Sequence, residues 1–117
     1  MIETRLDGLQ AEFKLKIEKL IERIKKEQLP IYVFETTRTK ERQRELVKIG
    51  SSKTMKSKHI EGLAVDFVVK INGLWTWDTS YKDVLNIYKR FGELAVEEGL
   101  TWGGNWDNFV DMPHVQL

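Results

Sequence analysis

The chain has 117 residues, 41% of them hydrophobic and including four Trp, five Phe and three Tyr, enough for one domain with a real core and too few for two. Nineteen basic residues nearly cancel eighteen acidic ones, so the net charge of +1 supplies no global field to recruit a nucleic acid. Cysteine is absent, which excludes disulfides, thiolate metal ligands and cysteine nucleophiles.

No apolar run approaches the length of a membrane span, and the N-terminus opens an amphipathic pattern instead of a signal-peptide core. The expected location is therefore the cytoplasm until something releases the protein. Leu6, Leu9, Phe13, Ile17, Leu20 and Ile24 recur every three or four residues, the single apolar stripe of a helix that Pro30 terminates. The same spacing would suit a short coiled-coil seam, but it covers only about three heptads. The expected organisation is one domain over residues 1–117. Residues 1–29 form an amphipathic helix packed on a core of residues 30–117.

Ile31-Tyr32-Val33-Phe34 predicts a buried strand. A second helix is expected from Thr39, a candidate N-cap, to Ile49, with Gly50 ending it. Residues 51–58 are polar, basic and without period, and read as a loop. Leu63–Ile71 predicts a strand, Asn72-Gly73 a tight hairpin, and Leu74–Trp77 the return strand. Val84, Leu85, Tyr88, Phe91, Leu94 and Ala95 line one face of a helix over about 81–98, with Gly99 beyond its end. Strand segments at Leu100–Trp102 and His114–Leu117 flank a Gly103-Gly104 turn and a loop over 105–112. The order predicts an α+β fold, a small antiparallel sheet flanked by helices, with no repeated βαβ unit.

The only two histidines are His59 and His114. With Asp66 they would make a two-imidazole, one-carboxylate zinc site with an open position for water, the pattern of catalytic zinc. Gly62 lets the chain turn between His59 and the strand that carries Asp66. Ala64 keeps the strand face beside Asp66 open, while Val65 and Phe67 point to the core. Asp111, three residues before His114, is the candidate general base. Arg38 follows the first strand, where it could bind a substrate carboxylate or steady an oxyanion. Ser57 could donate to substrate or simply cap its loop. Trp102, Gly103, Gly104 and Trp106 could form a cleft wall, or be core aromatics around a glycine turn; Trp102 and Gly103 join Ser57 as the candidate substrate-binding residues.

Ser57-x-His59-x-x-Gly62-x-Ala64-x-Asp66 followed by Asp111-x-x-His114 resembles the zinc peptidases of the D-Ala-D-Ala carboxypeptidase and L-alanyl-D-glutamate endopeptidase superfamily. Trp102-Gly103-Gly104-x-Trp106 and Phe109-x-Asp111-x-Pro113-His114 look like the endopeptidase branch, which contains bacteriophage endolysins. The resemblance runs from about Ile31 to Leu117. It implies a fold like that of the hedgehog signalling domain, Zn2+ on His59, Asp66 and His114, and a catalytic carboxylate at Asp111. It implies a transition-state arginine at Arg38, and as partner the peptidoglycan stem peptide, cut between L-alanine and D-glutamate. The chain departs from the pattern at Gln116, where an acidic residue is expected. A monomeric peptidoglycan endopeptidase is the leading reading. A D,D-carboxypeptidase or dipeptidase of the same superfamily, or a non-catalytic zinc-binding interaction domain, are the competing ones.

Overall fold

A computed structural model describes residues 2–117, so Met1 of the N-terminal pattern lies outside the described residues. The elements run α1 (Ala11–Lys26), β1 (Ile31–Glu35), α2 (Lys40–Lys48), β2 (Ala64–Ile71), β3 (Leu74–Thr76), α3 (Lys82–Glu97), β4 (Thr101–Trp102) and β5 (His114–Gln116), with a 3-10 turn over Gly103–Asn105. Every strand pairing is antiparallel. The long strand β2 organises the sheet. It carries β1 along one edge, and along the other it carries β5 beside residues 64–66 and β3 beside residues 69–71. Strand β4 lies outside β5. This is the α+β architecture that the sequence pattern predicts.

Alternation along the strands divides the residues between two faces. Val65, Phe67 and Val69 of β2, with Ile31 and Val115, join Phe13, Ile17, Leu20 and Ile24 of α1 and Val84, Tyr88, Phe91, Leu94 and Ala95 of α3 in one core. The apolar stripe of α1 is thus covered by its own domain, which leaves no coiled-coil seam. Phe13, Ile17 and Leu20 are fully buried, each contributing ~1.5–3 kcal/mol of transfer free energy. The opposite face of β2 carries Ala64, Asp66, Val68 and Lys70, and β5 adds His114 and Gln116, because Asp66 pairs with His114 and Ala64 with Gln116.

Local signals explain most boundaries. Thr39 caps α2, its side chain accepting the Arg42 N–H at 3.1 Å. Asn72 and Gly73 both have positive φ, 54° and 79°, as a two-residue type I′ hairpin requires. Helix α1 begins at Ala11, later than its stripe suggests. Leu6 and Leu9 belong to a turn closed by Leu9 N–H to the Leu6 carbonyl at 3.0 Å. Gln10 then spends its N–H on the Gly62 carbonyl at 3.0 Å. The spacing of Leu6 and Leu9 is one that a turn shares with a helix, so periodicity alone cannot separate them.

The segment before α1 works as a strap. The Glu3 carbonyl accepts the Thr36 N–H at 2.7 Å, and the Arg5 carbonyl accepts the Thr36 hydroxyl at 2.7 Å. Residues 3–10 therefore bind both the end of β1 and the loop before β2.

Candidate metal centre and cleft

The face opposite the core holds the predicted ligands. The ligand atoms of His59, Asp66 and His114 all lie within 4.8 Å of one another. His59 is 2% exposed and His114 is 8% exposed. Gly62, at φ 71°, makes the turn that brings His59 back over β2, and a side chain there would meet the Gly8 carbonyl at 2.7 Å.

Each imidazole is oriented from its far side. His59 Nδ1–H donates to the Thr36 carbonyl at 2.7 Å, which leaves the Nε2 lone pair facing Asp66 Oδ2 at 3.3 Å. His114 Nε2–H donates to Gln116 Oε1 at 2.8 Å, which leaves Nδ1 facing Asp66 Oδ1 at 3.1 Å. Two imidazole lone pairs aimed at a carboxylate repel one another unless a cation lies among them. Tetrahedral zinc with bonds of about 2.0–2.1 Å sets its ligand atoms about 3.3 Å apart, so the donor set fits such an ion. Without a cation, burial would raise the Asp66 carboxyl, but hydrogen bonds with His114 and His59 outweigh it and hold the group well below the usual carboxylate range. His114 moves the other way. Burial would lower it, and the bond to Asp66 and the charge of that residue raise it above the ordinary imidazole value.

An open cleft of about 780 Å³ surrounds this cluster. Loop 51–58 forms one wall; Trp106, Phe109, Asp111 and Pro113 form another; Phe34 and Trp77 close a third side. Asp111 lines the cleft, its N–H donating to the Gly103 carbonyl at 3.0 Å and its own carbonyl accepting from His114 N–H at 3.2 Å. Burial and the charge of Asp66 push its carboxyl up, against the pull of His114, His59 and Arg38.

Arg38 also reaches the cluster. Its guanidinium bonds Glu35 Oε1 at 2.9 Å, Gln43 Oε1 at 2.8 Å and Asp66 Oδ2 at 3.5 Å. Its Nε is the buried side-chain nitrogen that lacks a partner among the described residues. Glu35, 2% exposed, also pairs with Arg42 at 3.2 Å and so backs the arginine from within. A bulge between Val33 and Glu35 puts Glu35 opposite Asp66. Ser57 lines the cleft, and its Oγ accepts the His59 N–H at 3.2 Å, so it shapes the turn that presents the ligand.

Two candidate substrate contacts are placed elsewhere. Trp102 and Gly103, expected in the cleft wall, do not line it. Trp102 is 8% exposed and wedged between Gly92 and Gly104, where an added Cβ would come within 2.2 Å of the ring, and its Nε1–H holds the Met112 carbonyl at 2.8 Å. Gly103 is buried against the backbone of Asp111, whose carbonyl oxygen an added Cβ would meet at 2.3 Å. Both residues support the Asp111 loop from behind. Of the four residues in that motif, Trp106 does line the cleft, its ring 5.2 Å from that of His114. The sequence reading missed Glu35, Gln43 and Thr36. A carboxylate three residues before Arg38 is the one local signal that points to Glu35.

The His-Asp-His cluster in an open cleft is a donor set that suits a metal ion, and the comparisons supply the family. The chain belongs to the D-alanyl-D-alanine carboxypeptidase family, whose model matches residues 50–117. It is 37% identical to an L-alanyl-D-glutamate peptidase of Listeria phage A118 over 104 residues, which is 89% of this chain and 36% of that protein. It is 31% identical to the peptidoglycan L-alanyl-D-glutamate endopeptidase CwlK of Bacillus subtilis (strain 168), covering 76% of this chain and 61% of the relative. The chain thus spans between a third and under two thirds of the length of these relatives. The crystal structure of the Serratia marcescens L-Ala D-Glu endopeptidase ChiX superposes over all of this chain and 90% of its own, with TM-score 0.74 and 31% identity.

Proposed function

We propose that this domain is a zinc-dependent peptidoglycan peptidase that cuts the stem peptide at the L-alanyl-D-glutamate bond. The observation that supports the reading most is the convergence of His59, Asp66 and His114 with a separate carboxylate, Asp111, in one cleft. The names of the relatives at 37% and 31% identity supply the substrate.

When bound, zinc supplies Lewis acidity that polarises the scissile carbonyl and makes water nucleophilic near neutral pH. The remaining work belongs to side chains. Asp111 accepts a proton from the attacking water as the new C–O bond forms. It returns that proton to the amine nitrogen as the C–N bond breaks. Its raised carboxyl suits both halves of the transfer. Arg38 places positive charge beside the cluster, where it offsets charge developing on the carbonyl oxygen. Lys53 and Lys56, on the loop wall, face an anionic stem peptide across the cleft.

The test is mass spectrometry of digests of purified sacculi and of a soluble stem peptide, with and without chelator. New D-glutamate amino termini that vanish with chelator and return with zinc are the expected products. Release of free D-alanine instead would assign the carboxypeptidase reaction. A zinc-loaded protein that yields no product would point to a binding domain.

A further inference from the structure

Beyond the cleft, the same sheet face carries a strip of exposed aromatic rings. Tyr32 pairs with Val68 and Trp75 with Lys70, which places both rings on the Asp66 face of β2. Trp75 is 57% exposed and Tyr32 48%, while Val68 beneath them is 2% exposed. The two rings meet edge to face with centroids 5.8 Å apart, and the Lys70 ammonium lies 5.1 Å from the centre of Trp75. Nearer the metal ligands, Phe34 and Trp77 repeat the arrangement at 4.7 Å, and both line the cleft. None of the four rings belongs to the core cluster. The pairs form one platform that leaves the cleft and continues along β1 and β3. Exposed apolar area of this kind, joined to a reactive cleft, marks a ligand surface.

The chemistry of the substrate says what would lie there. The L-alanine of a stem peptide is joined by an amide bond to the lactyl group of a muramic acid. A site that cuts immediately after that alanine holds the sugar within one residue of the scissile bond. Pyranose rings present a face of C–H groups, which stacks on aromatic rings, and a rim of hydroxyl and amide groups, which stays in water. A half-exposed row of aromatics satisfies both requirements.

We propose that Phe34–Trp77 and Tyr32–Trp75 form a glycan platform that binds the amino-sugar strand adjoining the stem peptide. This rests on the peptidase reading above. Binding is tested on the protein in chelator, where nothing is cleaved, by following tryptophan fluorescence as glycan strands stripped of their stems are added. Saturable binding is expected, weakened about tenfold by Trp75→Ala, a loss of ~1.4 kcal/mol. Leu74→Ala, on the other face of β3, should bind like the parent. A kinetic arm compares stems still attached to glycan with free stem peptide: the ratio of the two kcat/KM values should fall about tenfold in Trp75→Ala. Absence of glycan binding, or an unchanged ratio, overturns the platform. Failure of the zinc-loaded protein to cleave either substrate defeats the peptidase reading instead, and the chelator titration still judges the platform on its own.

Discussion

The two imidazoles differ in how they are held, and the difference is testable. His59 leans on a backbone carbonyl, Thr36, which no substitution removes; His114 leans on the side chain of Gln116. Replacing such an outer partner lowers metal affinity by about 10–100-fold. Gln116→Ala should therefore weaken zinc by that factor in competition with a chromophoric chelator, and unchanged affinity would refute the orienting role. The amide at Gln116 thus fills the place where an acidic acceptor was expected. Asp111→Asn should cut turnover by about 10²–10⁴-fold while zinc affinity moves little; equal loss of both would make Asp111 a ligand. The raised Asp111 carboxyl also sets a sign. Acting as the proposed base, Asp111 would have to be ionised, so activity should fall as pH drops through a value above the ordinary ~3.9 of aspartate. A pH–rate profile with its acid limb at or below that value would contradict this. At this scale the convergence of His59, Asp66 and His114 and the place of Asp111 in the same cleft were legible, because a chain with two histidines offers few alternatives. Glu35 and Gln43 were not, because their roles exist only once β1 and α2 converge on Arg38.

Among elements, the contact between α3 and β4 decides how firmly the Asp111 loop is held. Trp102 enters a slot that exists only because Gly92 and Gly104 lack side chains. Gly92→Ala should cost ~1–3 kcal/mol by overpacking, read as a lower urea midpoint at unchanged m-value; an unaltered midpoint would show that the ring shifts freely. Periodicity and turn chemistry revealed α2, α3, β1, β2 and the Asn72-Gly73 hairpin to within a residue or two. They misled at Leu6 and Leu9, whose spacing fits a helix and whose hydrogen bonds form a turn. They also left Trp102 and Gly103 undecided between cleft and core. Glycine beside tryptophan signals close approach, and composition does not say whether ligand or backbone approaches. Here it is the Asp111 segment.

Across the whole molecule the cluster ties together the loop before β2, β2 itself and β5, so an ion held there would link metal binding to folding. Zinc present at a hundred times its Kd would add ~2.7 kcal/mol to stability, worth ~10 °C in Tm for a domain of this size. Differential scanning calorimetry with and without chelator measures it; coincident transitions would mean no ion binds the native state. The linkage has a pH sign. Proton and metal compete for His114, whose raised value means zinc affinity declines as pH falls through a point above the ordinary imidazole value of about 6.5.

The strap of residues 3–10 gives this linkage an unexpected reach. Glu3 and Arg5 clasp Thr36, the residue whose carbonyl steers His59, while Gln10 is bonded to Gly62, the pivot of the same histidine. A shortened variant starting at Ala11 would keep every residue that meets substrate yet lose the brace beneath one ligand, so trimming the front of this protein should first show itself as leakage of metal.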